Sequence, residues 1–154
     1  MKGKLKMVFV EHNVTFKGDL QSAWDKLVDW KRIPEWDIFV DSVQFDGPLK
    51  VGSVGQLKSR DGHNYILTVT NFNPLNNYSD EISIMGSKFI FYHELSEKTP
   101  GEITMRFTIS ANGFIAFIFQ YPINNALALK LPILMDNFKL QYEESFQRST
   151  EVSG

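Results

Sequence analysis

Apolar and polar residues alternate along the first 112 positions, and then the period changes. Over residues 6–16 the even positions carry Val8, Val10, His12, Val14 and Phe16, a two-residue repeat that predicts a strand with one buried face. Gly18-Asp19 breaks it, and Asp19 is placed to cap a helix. Leu20, Ala23, Trp24 and Leu27 follow at helical spacing and predict a helix over 20–30. Pro34 prevents that helix from running on, so Ile33-Pro34-Glu35-Trp36 reads as a short second helix or turn.

Six more strands are predicted, over 39–45, 53–60, 65–72, 78–85, 88–95 and 103–111. Turn residues separate them: Asp46-Gly47-Pro48, Asp61-Gly62, Asn73-Pro74, Gly86, Pro100-Gly101 and Asn112-Gly113. Links this short make the strands antiparallel neighbours. The last segment is helical and has two parts. Residues 114–121 are apolar on every side and stop at Pro122, read as a hinge. Beyond it, Leu127, Leu131, Met135, Phe138 and Tyr142 form one stripe of an amphipathic helix over 124–147. Pro132 lies within it and predicts a kink or a junction. One domain over 1–148, with a frayed tail over 149–154, accounts for the chain.

Composition adds one unusual figure. Thirteen Phe, five Tyr and three Trp make 14% of the 154 residues, enough to fill a thick core or to line a cavity. There is no cysteine, which excludes disulfides, thiolate metal sites and a cysteine nucleophile. A net charge of −2 offers no general attraction to nucleic acid. The N-terminal apolar run is too short for a secretory leader, so the chain reads as cytoplasmic. Residues 113–135 are long enough to span a bilayer, but Gln120, Asn124, Asn125, Lys130, Pro122 and Pro132 interrupt them. A buried helix is expected instead. Phe114, Ile115, Phe117, Ile118 and Phe119 offer an alternative use, as a membrane contact or a homodimer surface.

The order strand, two short helices, six strands, long helix resembles that of the START-like helix-grip superfamily. Polyketide cyclase/dehydrase-like, lipid-transfer and pollen-allergen-like proteins belong to that group. Ala23-Trp24 with Leu27 and Asp29 is similar to its first-helix pattern, and Ile33-Pro34-Glu35-Trp36 resembles its Pro-x-Trp turn. Val51-Gly52-Ser53 resembles the glycine that opens its third strand. Leu131-Pro132, Phe138-Lys139 and Glu143 resemble the pattern of its last helix. The likeness covers about residues 5–146. It departs at Gly18-Asp19, where many members have proline, and it includes no match to the catalytic residues of characterised cyclases.

The resemblance implies an α+β helix-grip fold: a seven-stranded curved antiparallel sheet wrapped around a long C-terminal helix. It also implies that the first strand pairs with the seventh and the seventh with the sixth. Strand parity and the helical stripe then nominate the residues around a small apolar ligand of lipid, polyketide or aromatic kind. These are Val10, His12, Tyr65, Leu67, Phe89, Phe91, His93, Met105, Phe107, Leu131, Met135 and Phe138. His12 and His93 would lie two strand spacings apart, about 9–10 Å between strand axes. At that distance they could grip one polar ligand group, or one of them could act as an acid or base. Binding or carriage is the first expectation; a cyclase/dehydrase- or isomerase-type enzyme and a membrane-associated lipid handler are the alternatives. Asp41 shares the parity of Val43 but reads as a rim charge, and Trp24 and Trp36 read as core. His63 sits in a turn, far from the other histidines, and no metal or cofactor is expected.

Overall fold

The structure, a computed structural model, describes residues 8–153. β1 (Val8–Lys17) leads into α1 (Leu20–Val28), a 3-10 turn (Trp30–Arg32) and α2 (Ile33–Trp36). There follow β2 (Val40–Gln44), β3 (Val54–Ser59), β4 (Asn64–Asn73), β5 (Asn77–Ile84), β6 (Ser87–Thr99) and β7 (Glu102–Asn112). α3 (Phe114–Ile118) and α4 (Gln120–Ser153) complete it. The expected start of β1 at Lys6 lies outside the described residues.

The seven strands form one antiparallel sheet in the order β1-β7-β6-β5-β4-β3-β2. The pairing of β1 with β7, and of β7 with β6, therefore holds. Register aligns the inward residues in rows. One row runs His12, Phe107, His93, Tyr78, and the next runs Val10, Ile109, Phe91, Asp80, Val69. A register shift between Val40 and Ser42 leaves Asp41 exposed at a bulge, where it lies 4.0 Å from Lys58 Nζ.

α1 begins where the sequence places its cap. The Asp19 carboxylate accepts the Ser22 N–H at 2.9 Å. Tyr142 of α4 fastens the same corner: its hydroxyl accepts the Asp19 N–H at 2.8 Å and lies 2.8 Å from Ser22 Oγ. A Cβ on Gly18 would fall 2.3 Å from the Tyr142 ring, which explains why glycine stands before this helix.

α4 differs from expectation in its bounds. The break between the two helical parts falls at Phe119, not Pro122. Pro122 stands in the first turn of α4, where the missing N–H has no intrahelical acceptor to lose. The helix continues through Pro132 as one element, so no junction falls there. It also runs to Ser153, so residues 149–153 are helical.

The buried stripe of α4 is Leu131, Met135, Phe138 and Tyr142. Phe138 is fully buried, with ring centroids of Trp36, Phe16 and Tyr142 at 5.1, 6.1 and 6.5 Å. α4 packs chiefly against β1 and α2. Toward the β2–β6 side the helix stands off the sheet, and a cavity remains between them. No helix of the described residues is long and apolar enough to cross a membrane. Phe114, Phe117, Ile118, Phe119 and Tyr121 are exposed at the α3–α4 junction.

Candidate functional site

The cavity measures about 340 Å³. Its floor is the inward face of β4, β5 and β6: Leu67, Tyr78, Asp80, Ile82, Phe89, Phe91 and His93. Its roof is the face of α4 that carries Leu127, Leu131 and Leu134. Trp36, Asp37 and Phe39 from the end of α2, with Lys130 of α4, lie at one edge. Apolar carbon dominates this surface, and a few polar groups converge on it, the usual composition of a ligand pocket.

Of the residues nominated from sequence, Tyr65, Leu67, Phe89, Phe91, His93, Phe107 and Leu131 line the cavity. Val10, His12, Met105, Met135 and Phe138 do not. Met105, Met135 and Phe138 are fully buried in the packed half beneath α4, and Val10 packs against that cluster. His12, half-buried on the edge strand, is directly opposite Phe107, which is directly opposite His93. The Phe107 ring therefore stands between the two histidines, and its centroid lies 4.7 Å from that of His93. The two histidines thus lie two strands apart on one face, as expected, with Phe107 between them. Trp24 is core, edge-on to Phe72 and Tyr78. Trp36 is core and cavity wall together. Its Nε1 is buried without an acceptor among the described residues, at a cost of about 1–3 kcal/mol.

His93 is held on both sides. Its ring stacks on Tyr78 at 4.2 Å and 13°, and Nδ1 lies 3.2 Å from the Tyr78 carbonyl oxygen. Donation from Nδ1 to that carbonyl assigns the tautomer and leaves Nε2 as an acceptor. Burial pulls the His93 pKa down to about 4, against the carbonyl contact that favours the charged form. The imidazole is thus neutral at neutral pH and weak as a base.

Asp80 is not among the residues nominated from sequence, although the parity of Tyr78 and Ile82 places it on the inward face. It lies directly opposite Phe91 on one side and Val69 on the other. Its side chain makes no hydrogen bond or ion pair among the described residues, and burial raises its pKa to about 7. The Tyr78 phenol is pushed well above its usual value, first by burial and then by Asp80 and Asp37. Asp37 lies at the cavity edge and accepts the Phe39 N–H at 3.0 Å. Burial lifts it to about 6, a rise limited by that hydrogen bond and by Arg60 and Lys130. Arg60 donates to the carbonyls of Val40 and Pro34, both at 3.1 Å, and so fixes the segment that carries Asp37. Lys130 Nζ sits 5.1 Å from the centroid of the Phe39 ring.

His63 lies in the β3–β4 turn, exposed, 3.0 Å from an Asp61 carboxylate oxygen. Among the described residues no group of three or more His, Asp or Glu side chains is arranged to hold a metal ion.

No protein-family model and no curated protein sequence matches the chain. Solved structures do match. A hypothetical protein of Helicobacter pylori is 14% identical, with 87% of each chain covered and a TM-score of 0.73. A START superfamily protein of Mycobacterium smegmatis is 10% identical over 88% of this chain and 97% of that one, with a TM-score of 0.71. A point mutant of norcoclaurine synthase from Thalictrum flavum, bound to a transition-state analogue, is 9% identical over 94% and 99%, with a TM-score of 0.71. These likenesses, together with the seven-stranded antiparallel sheet closed by a long C-terminal helix, identify the fold of this protein as the helix-grip fold of START-like proteins.

Proposed function

We propose that the protein binds a small apolar molecule in the space between its sheet and α4. The observation that carries this reading is the cavity of about 340 Å³, walled by aromatic and aliphatic side chains that could have filled it and do not. An open, mostly apolar pocket of that size leaves the carbon of its lining short of packed partners. An apolar ligand supplies those partners. Ile84 lines the cavity and is only half-buried, so Ile84→Trp places an indole in the open space. This variant is expected to lose hydrophobic-dye binding by about tenfold or more, with its thermal midpoint nearly unchanged. Unchanged dye affinity, together with native mass spectra that never show a bound apolar molecule, would sink the proposal.

A second reading, proton transfer on the bound molecule, is favoured by one observation. Asp80 faces the cavity with a pKa of about 7, where acid and base forms coexist at neutral pH. His93, at about 4, does not. Norcoclaurine synthase shows by its name that this fold can house chemistry. On the catalytic reading Asp80→Asn keeps binding and loses turnover. No chemical change in any bound molecule, by mass spectrometry over hours, supports carriage alone.

A further inference from the structure

The polar groups on the cavity floor do not match each other; they match something absent. Asp80 presents two acceptor oxygens and has no partner among the described residues. Burial raises its pKa, and no Lys, Arg or His among the described residues forms an ion pair with it. Arg60 and Lys130 act on Asp37 at the cavity edge instead. His93 is a diagonal neighbour of Asp80 across the β5–β6 pair, a relation that spaces Cα atoms by about 7–8 Å. With Nδ1 engaged by the Tyr78 carbonyl, its Nε2 also accepts. A carboxylate and an imidazole acceptor among aromatic rings complement a group that is rich in donors and positively charged. Around them, Tyr78, Phe89, Phe91 and Phe107 supply the π faces to which a cation is drawn.

We propose that the cavity takes an apolar amine, with its ammonium group seated between the Asp80 carboxylate and the His93 ring. This rests on the cavity-binding reading above and narrows it to one ligand class. An ammonium group supplies three N–H donors and the counter-charge that Asp80 lacks. An uncharged alcohol supplies one donor and no charge. A fatty-acid carboxylate would set two anions together in a low-dielectric space.

Decylamine, decanol and decanoate share a chain length and differ in headgroup. Displacement of a hydrophobic dye from the full chain at pH 8, with each probe below its micellar concentration, compares them directly. The amine is expected to bind about tenfold tighter than the alcohol, and decanoate weakest. Asp80→Asn should remove the amine's advantage and leave decanol within about threefold of its wild-type affinity. Decanol binding as tightly as decylamine overturns the amine assignment and leaves apolar binding intact. Decanoate binding tightest also overturns it, and would transfer headgroup selection to Lys130. Displacement by none of the three removes the cavity-binding reading itself. The wild-type ranking decides the matter even if the variant does not fold.

Discussion

Phe138→Ala is expected to destabilise the protein by about 3–5 kcal/mol, the range for a buried phenylalanine whose removal leaves a void. The ring is fully buried and meets Phe16 of β1, Trp36 of α2 and Tyr142 of its own helix. Phe16 and Trp36 belong to separate elements that α4 joins, so the void cannot close by shifting one side chain. At about 2–4 °C per kcal/mol for a chain of this size, the thermal midpoint should fall by roughly 6–20 °C. Because Phe138 does not line the cavity, the folded fraction should bind hydrophobic dye as wild type does. A loss below about 1 kcal/mol in urea titration would show that α4 is not seated on this residue. Loss of dye affinity with little loss of stability would return Phe138 to the ligand site.

Asp80→Asn should act in the opposite sense and only in part of the pH range. The unfolded chain releases this proton near the ordinary 3.8, whereas the folded chain holds it to about 7. Between those values the folded state binds a proton that the unfolded state does not. Stability therefore falls as pH rises through that window and is flat above it. A shift of this size amounts to about 4 kcal/mol, and it is an upper figure because cavity water would reduce it. Asparagine cannot ionise, so the variant should be more stable than wild type by about 2–4 kcal/mol at pH 8. The difference should vanish near pH 4. Asp37 contributes a loss of the same sign between 3.8 and about 6, and His93 one of opposite sign as pH falls from 6.5 to about 4. Both residues are present in both proteins and cancel in the comparison. Equal denaturation midpoints at pH 4 and pH 8 would mean that Asp80 ionises as it does in water.

Period-2 parity located the sheet, because each inward position repeats every second residue whatever the partner strand. The same parity already placed Asp80 inward between Tyr78 and Ile82. Hydrophobicity does not mark it, because a lone carboxylate interrupts the apolar signal of the buried face. His12 and His93 do share a face, but their relation depends on which β7 residue lies between them. Pairing register decides that, and it is set across some ninety residues of chain. The α4 stripe likewise identifies which side of the helix is buried. It does not say where along the sheet the helix touches and where it stands off. Met135 and Phe138 fall on the touching part, and Leu127 and Leu134 over the space. That partition comes from the helix's seat on β1 and α2, a tertiary property with no trace in local periodicity.

The pairing of β1 with β7 and the Tyr142 hydroxyl at the Asp19 cap have a consequence for how the chain is made. On a ribosome β1 emerges well before its partner strand, which begins at Glu102. The aromatic concave face then stays bare until α4 has been synthesised. The pairing of β1 with β7 and the packing of α4 on β1 join residues far apart in sequence, which predicts that closure of the core is a slow step in folding.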